Sequence, residues 1–199
     1  MPNSIRYFDH VFADQIQKMR PTKMLDIGAG YGKYGRMTKK YVPSRHRTAI
    51  EPVKKYIEDY RLDQVYDEIV NTDLFSAIKD GYFDNKDYNV VTLGDVLEHM
   101  FLSQALDVIN YLSYKTEWIV IQYPTQLNQP AIGGVEWERH LSNFSINDFA
   151  RYNIQYYTQI KDPEDTPSGI ARHHYLVIAT TRNLVLHQLI RTDLVEDYE

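Results

Sequence analysis

Four of the nine glycines in this 199-residue chain lie within one short stretch. They are Gly28, Gly30, Gly32 and Gly35, in the sequence LDIGAGYGKYG. The stretch follows an apolar segment typical of a buried strand and precedes a segment of helical composition. Glycines at such a strand-to-helix turn permit a tight bend and let a ligand approach the backbone at the helix N-terminus. The cluster therefore predicts an α/β unit with a ligand site at this turn.

The spacing of these glycines departs from two phosphate-binding fingerprints. Counted from Gly28, the first glycine after the strand, the dinucleotide pattern G-x-G-x-x-G requires glycine at position 33, where the chain has Lys33. The phosphate-loop pattern G-x-x-x-x-G-K-S/T requires serine or threonine directly after the lysine, where the chain has Tyr34. A nicotinamide-dependent reductase also needs a hydride-relay pair. Tyr111 and Lys115 have the Tyr-x-x-x-Lys spacing, but we interpret them as a surface pair on a helix.

Short apolar runs alternate with amphipathic segments along most of the chain. The predicted strands in this part are 23–27, 47–51, 65–70, 88–93 and 117–123. The predicted helices are 5–19, 33–42, 53–61 and 102–114. Strands that alternate with helices are typical of a parallel sheet with crossover helices.

The last third of the chain has a different pattern. Residues 153–161 and 172–181 are predicted strands, and the turn-rich linker DPEDTPSG between them is too short for a crossover helix. This pair is therefore predicted to be an antiparallel hairpin. We expect one domain over residues 1–185 and an acidic C-terminal tail over residues 186–199.

Composition excludes several functional classes. The chain has no cysteine, which excludes disulfides, Cys-ligated zinc, thiolate nucleophiles and iron–sulfur clusters. The formal net charge of −5 weighs against non-specific binding of nucleic acid. No apolar run is long enough to span a bilayer, and the N-terminus lacks the apolar stretch of a signal peptide. We therefore expect a cytoplasmic protein with no membrane partner.

Acidic residues stand near the ends of three predicted strands. Asp26, in the first, suits a ligand that carries an ammonium group. Glu51 stands 23 positions after Gly28, where an acid accepts hydrogen bonds from both hydroxyls of a ribose. Asp73 follows the third strand and could accept a hydrogen bond from an adenine amino group. Each acid alone is more often a solvated strand end or a helix cap, but the three in register predict a nucleoside-containing ligand.

Four segments, taken in order, resemble motifs I to IV of the class I S-adenosylmethionine-dependent methyltransferases. They are LDIGAGYG, IEP, NTDLF and VVTLGDVLEH, and the resemblance extends over about residues 20–125. It implies a Rossmann-like, doubly wound α/β sheet of seven strands, mostly parallel, with helices on both faces and an antiparallel C-terminal hairpin. It also implies that the chain is a methyltransferase with S-adenosylmethionine as its cofactor.

The resemblance further implies the contacts of that cofactor. The methionine part is expected to lie on Gly28, Gly30 and Gly32. Glu51 is expected to bind the ribose and Asp73 the adenine, with Leu74 beside the ring. Asp26 and Gly94 complete the expected cofactor-binding residues.

The sequence also limits the atom that receives the methyl group. The position after the fourth strand lacks the Asn/Asp-Pro-Pro-aromatic tetrapeptide of enzymes that methylate amino groups of DNA, and the absence of cysteine closes the covalent route to cytosine C5. A hydroxyl acceptor needs a base or a metal beside the methyl donor. We expect methylation of oxygen on a small or sugar-like acceptor. A nucleotide-binding fold without catalysis is the non-enzymatic alternative.

The segment from Asp95 to His99 carries the candidate catalytic groups. Asp95, Glu98 and His99 lie on one face if a helix begins there, and His140 stands in a later loop. Two carboxylates and two imidazoles could bind Mg²⁺ or Mn²⁺. This set resembles the metal site of the small-RNA 3′-terminal 2′-O-methyltransferases, which implies metal-assisted RNA 2′-O-methylation as an alternative function.

Two metal-free interpretations of this segment stay open. Asp95 followed by Glu98 has the spacing of a capping box, which would satisfy helix donors without a metal. Alternatively, His99 or His140 acts as the base, with Asp95 as a further catalytic group. Asp95 also stands where the RNA enzymes usually have Glu, so its reach is shorter.

The long segment 124–143 has no regular period, and loops of this length are usually functional. We expect it to form part of the acceptor pocket, with Gly133 and Gly134 permitting movement. The candidate substrate contacts are Tyr123, Glu136 and Trp137.

Overall fold

The sheet and helices are taken from a computed structural model that describes residues 5–42, 46–125, 127–161, 171–180 and 182. The strands are β1 (Lys23–Ile27), β2 (His46–Ile50), β3 (Glu68–Val70), β4 (Tyr88–Gly94), β5 (Thr116–Thr125), β6 (Asn153–Lys161) and β7 (Arg172–Ala179). The α-helices are α1 (Asp9–Met19), α2 (Lys33–Tyr41), α3 (Lys54–Asp59), α4 (Leu74–Lys79) and α5 (Leu102–Leu112). Short 3₁₀ turns cover Leu62–Gln64, Leu97–His99, Glu136–Glu138 and Ile146–Phe149.

Within the described residues, the seven strands form one sheet in the order β3-β2-β1-β4-β5-β7-β6. The first five strands pair in parallel, whereas β7 pairs antiparallel with both β5 and β6. The predicted fold class, a mostly parallel seven-stranded sheet with an antiparallel C-terminal hairpin, is therefore confirmed. The strand order reverses between β1 and β4, and open α/β sheets bind their ligands outside the carboxyl ends of the strands at such a switch point.

Apolar side chains of the central strands alternate between two layers. Met24 and Val90 contact the layer formed with Phe12 and Ile16 of α1. Their neighbours in β1 and β4 belong to the opposite layer, which includes residues of α4 and α5. Since successive residues of a strand point to opposite faces, the near-continuous apolar runs of the sequence bury both faces of the sheet.

Some predicted boundaries were wrong. The third strand is shorter than the predicted 65–70, because Val65 and Tyr66 are buried in a small apolar cluster before the strand begins. The first helix begins at Asp9 instead of residue 5. The helix α4 was missed by the sequence analysis. The predicted acidic tail, 186–199, lies outside the described residues.

Of the helices in the described ranges, none combines the length and the apolar character that crossing a bilayer requires.

The end of β4 fits tightly against α2. A Cβ atom added at Gly94 would overlap the ring of Tyr34, which is buried beneath the turn.

We expect Gly94→Ala to lower the free energy of unfolding by about 1–3 kcal/mol, because overpacking forces the ring to move. Urea denaturation measures this loss. In a Tyr34→Leu background the same substitution should cost clearly less, since the overlapping ring is gone. Equal losses in the two backgrounds would contradict this packing argument.

Candidate functional site

A cavity of about 460 Å³ lies beside the glycine-rich turn that follows β1. Its wall includes the predicted residues Gly28, Gly30, Glu51, Asp73, Leu74, Gly94, Asp95, Glu98, His99 and His140. The carboxyl ends of several strands contribute to it, as expected for an open α/β sheet. The structure thus brings together most of the candidate residues, although they are distributed over more than 100 positions of the sequence.

The turn after β1 depends on glycine at its first position. Gly28 has a φ of +66°, in the left-handed region that residues with a Cβ atom avoid. An added Cβ would also lie 2.6 Å from Cγ2 of Val96. The backbone of this turn therefore lies open to the cavity.

Glu51 joins the glycine turn to the segment after β2. Its Oε2 accepts a hydrogen bond of 2.8 Å from the Gly30 amide, and its Oε1 accepts one of 2.8 Å from the Val53 amide. Burial raises the pKa of Glu51 to about 7. Each carboxylate oxygen keeps one lone pair, so the group can still accept hydrogen bonds from a ligand in the cavity.

Asp73 is the N-cap of α4. Its carboxylate accepts hydrogen bonds from the Ser76 amide at 3.0 Å and from the Ser76 hydroxyl at 2.6 Å. Burial opposes ionisation, but these hydrogen bonds lower the pKa of Asp73 below its ordinary value. The fixed anion lies in the cavity wall next to Leu74.

Asp26 and Gly32 lie outside the cavity wall. Asp26 is 1% exposed, and it accepts hydrogen bonds from Thr92 Oγ1 at 2.6 Å and from the hydroxyl of Tyr66. Burial raises the pKa of Asp26 to about 6. Gly32 faces Leu62 instead of the cavity. The contact of Asp26 with a ligand ammonium group stays a prediction, and in this structure the carboxylate is buried against Thr92 and Tyr66.

Glu98, His99 and His140 converge in the cavity wall. One ligand atom from each lies within 4.8 Å of the others. His99 Nδ1 lies 3.0 Å from the Arg139 carbonyl, and His140 Nδ1 lies 2.7 Å from the Leu127 carbonyl. Because a carbonyl only accepts, both Nδ1 atoms donate, and the Nε2 lone pairs remain for a ligand. Such carbonyl contacts are how metal-binding histidines are usually oriented.

The carboxylate of Glu98 has an unusual environment. It is 1% exposed, and neither of its oxygens has a hydrogen-bond partner among the described residues. Burial, with the nearby charge of Asp95, raises the pKa of Glu98 well above its ordinary value. A buried carboxylate without partners is costly unless it holds a proton or a cation. The three donor groups therefore fit a hard divalent cation.

Asp95 does not belong to this cluster. Its backbone has a φ of +54°, and its Oδ2 accepts a 2.8 Å hydrogen bond from Gln122 Nε2. The short turn Leu97–His99 begins after Val96, which makes no side-chain cap. The capping-box interpretation is therefore wrong, and of the four predicted metal ligands only Asp95 lies apart from the rest.

The loop that follows β5 is tied down on two sides of the cavity. Glu138 accepts a 2.8 Å hydrogen bond from the hydroxyl of Tyr56 in α3. The amides of Leu141 and Ser142 donate to the Glu98 carbonyl at 2.7 and 3.1 Å. The loop is thus held over the cavity by contacts that no sequence pattern indicated.

Of the three candidate substrate contacts, Tyr123, Glu136 and Trp137, only Trp137 lies in the cavity wall. Glu136 is exposed and pairs with Arg139. Tyr123 is fully buried and stacks on His174, with ring centroids 4.8 Å apart. The interpretation of Tyr123 as a substrate contact is wrong, because its ring belongs to the core beneath the loop.

The contacts of Lys33 and Gln122 were not predicted from the sequence. The ammonium group of Lys33 is 2.6 Å from the Ile5 carbonyl and 2.9 Å from Asp9 Oδ1, so it anchors the start of the described chain. The hydroxyl of Tyr34 donates to Gln122 Oε1 at 2.9 Å, which orients the Gln122 amide toward Asp95. The only available sign was the lysine itself, at the position where a dinucleotide fingerprint has glycine.

No family model and no curated protein matches this chain by sequence. Solved structures do match its architecture. Magnesium protoporphyrin IX methyltransferase from Synechocystis, with bound S-adenosylmethionine, has a TM-score of 0.62 at 11% identity, over 88% of this chain and 79% of that one. The methyltransferase domain of bacterial CtHen1 has a TM-score of 0.58 at 13% identity, over 89% and 100%.

A candidate O-methyltransferase from Nostoc punctiforme has a TM-score of 0.58 at 12% identity, over 86% of this chain. The chain spans only 55% of the length of that protein. The fold is that of the class I methyltransferases. At these identities the likeness establishes the architecture, and the activity has to be argued from the site.

The buried carboxylate of Glu51 predicts a pH dependence of stability. Its folded-state pKa of about 7 exceeds the ordinary pKa of 4.5, so the folded state binds the proton more tightly than the unfolded state. The contribution of Glu51 is therefore most favourable below pH 4.5 and declines as the pH rises to 7. The stability of wild type relative to Glu51→Gln should fall over this range, by an amount on the order of 3 kcal/mol.

Urea denaturation at several pH values measures this difference. The exposed acid Glu58 supplies a matched control, because Glu58→Gln should keep the pH profile of the wild type. A stability difference between wild type and Glu51→Gln that does not change with pH would contradict the argument.

Proposed function

We propose that this chain is an S-adenosylmethionine-dependent methyltransferase that methylates a hydroxyl group of a small acceptor. The observation that carries the proposal is the convergence of the glycine turn, Glu51 and Asp73 on one cavity at the switch point of the sheet. Each of these three groups suits one part of the cofactor. The backbone at Gly28 and Gly30 receives the methionine part, Glu51 the ribose and Asp73 the adenine.

Glu51 has the chemistry that ribose binding requires. Two backbone amides fix its carboxylate, so little rotational freedom is lost when it accepts hydrogen bonds from a diol. Leu74 is 4% exposed and supplies an apolar contact beside Asp73. The Synechocystis neighbour holds S-adenosylmethionine on the same fold, which supports the choice of ligand.

The opposite part of the cavity carries groups that suit a hydroxyl acceptor. The methyl group passes from the sulfonium sulfur to the acceptor oxygen, and S-adenosylhomocysteine is left. The acceptor proton must go to a base, and the Nε2 lone pairs of His99 and His140 are available for it. Alignment of donor and acceptor and exclusion of water supply the rest of the rate enhancement.

The cluster of Glu98, His99 and His140 supports a metal-assisted form of this reaction. These residues would hold a divalent cation, which lowers the pKa of a hydroxyl and so favours its attack. The same cluster favours divalent-metal-assisted 2′-O-methylation of RNA as the second candidate function. In both cases the Nδ1 contacts of the two histidines orient their rings toward the cavity.

Calorimetry with S-adenosylhomocysteine tests the cofactor assignment. We expect wild type to bind it, and Glu51→Gln to bind about 10- to 100-fold more weakly, because hydrogen bonds to a charged acceptor contribute about 1.5–3 kcal/mol. Glu58→Gln should bind like wild type. Absence of binding to wild type would overturn the proposed function. Binding without turnover on any acceptor would favour a nucleotide-binding fold without catalysis.

Titration with Mn²⁺ tests the cation site separately. We expect binding to wild type and its loss in both Glu98→Gln and His140→Ala, since each removes one of three donor groups. The matched control is Glu136→Gln, which removes an exposed acid of the same loop and should leave Mn²⁺ binding unchanged. If Glu98→Gln and Glu136→Gln bind Mn²⁺ equally well, the cluster is not a metal site.

A further inference from the structure

Exposed apolar side chains gather at the mouth of the cavity. Among the described residues, the large hydrophobic side chains classed as exposed are Tyr7, Phe75, Phe101, Leu102, Tyr114, Ile132, Trp137 and Leu141. Half of them lie in the wall of this one cavity: Phe75, Phe101, Trp137 and Leu141. Scattered exposed apolar residues are normal, but apolar residues collected around one opening mark a binding surface.

Two of these side chains stand next to the imidazoles in the sequence, and a third, Trp137, lies in the loop between β5 and β6. Phe101 stands two residues after His99, and Leu141 directly follows His140. Trp137 lies in the loop whose neighbouring residue Glu138 is bonded to Tyr56. Trp137 itself is 53% exposed, while the hydrogen bond of Glu138 holds the segment around it in place. An indole in such a position offers a flat face for stacking at a small entropic cost.

The cavity wall is rich in acidic side chains, whereas a phosphorylated acceptor needs positively charged partners. The described wall contains the acidic residues Glu51, Asp73, Asp95, Glu98 and Glu138. Apart from histidines, its cationic residue is Lys33, which is 5% exposed and already pairs with Asp9. Phosphate groups are usually bound by arginine, lysine or free backbone amides. A polyanion would meet acidic side chains here, and the described wall offers it no arginine and no lysine other than the paired Lys33.

We infer that the acceptor is a neutral, planar, apolar molecule that bears a hydroxyl group, stacked on Trp137 at the mouth of the cavity. This inference rests on the proposed function for the reaction that follows binding, but the binding surface itself is independent of it. Nucleobases also stack on aromatic side chains, so stacking alone does not separate RNA from a small aromatic compound. The lack of an unpaired lysine or arginine in the described wall separates them, because RNA brings phosphate groups that need such partners.

A matched pair of compounds tests this inference. We expect calorimetry to detect binding of 2-naphthol and to find 2-naphthyl phosphate at least about tenfold weaker, because the two differ only in the phosphate group. A short oligoribonucleotide should bind more weakly than 2-naphthol as well. Equal or tighter binding of the phosphate ester or of the oligoribonucleotide would overturn the inference, and so would a failure of 2-naphthol to bind.

Substitutions locate the binding surface. Trp137→Ala should weaken binding of 2-naphthol about tenfold, whereas Trp137→Phe should keep most of it. The control is Tyr114→Ala, which removes an exposed aromatic ring outside the cavity wall and should change nothing. Equal effects of Trp137→Ala and Tyr114→Ala would exclude this surface.

Titration of the same samples with S-adenosylhomocysteine separates the two proposals. If S-adenosylhomocysteine binds but 2-naphthol does not, the acceptor class is wrong and the proposed function stands. If 2-naphthol binds at Trp137 and S-adenosylhomocysteine does not bind, the surface stands and the proposed function is lost.

Discussion

The carboxylate of Glu51 is the interaction on which the geometry of the cavity depends. It connects two backbone segments that follow different strands, and each of its oxygens holds one amide. The carboxylate is buried, so water cannot replace it as the partner of those amides. The positive φ of Gly28, and the position of Val96 where a Cβ atom of residue 28 would lie, further restrict the conformation of the turn. The side chain of Glu51 thereby fixes the position of the glycine turn relative to the segment after β2.

The order of the strands explains why distant residues meet. Glycines after β1, an acid after β2 and a capped helix after β3 all emerge on the same edge, because parallel strands end together. The second half of the site comes from the other side of the switch point, after β4 and β5. The cavity therefore has one side formed by the glycine turn, Glu51 and Asp73, and another that carries the imidazoles of His99 and His140.

Much of this arrangement could be predicted from the sequence, because it depends on local patterns. Apolar periodicity predicted the strands. Spacing after the glycines pointed to Glu51, and the end of the third strand pointed to Asp73, and both line the cavity. Contacts that the tertiary structure decides could not be predicted. Asp26 accepts its hydrogen bonds from Tyr66 and Thr92, and Asp95 accepts one from Gln122. The hydrogen bond between Tyr56 and Glu138 joins residues 82 positions apart, which no local pattern can indicate.

Glu98 has two roles that lie on different atoms. Its carbonyl oxygen holds the amides of Leu141 and Ser142, while its carboxylate lies in the cavity without a partner. A group that binds the carboxylate therefore acts on the same residue that anchors the loop. Since His140 of the loop belongs to the same cluster, a group bound there would touch the loop directly as well as the residue that anchors it.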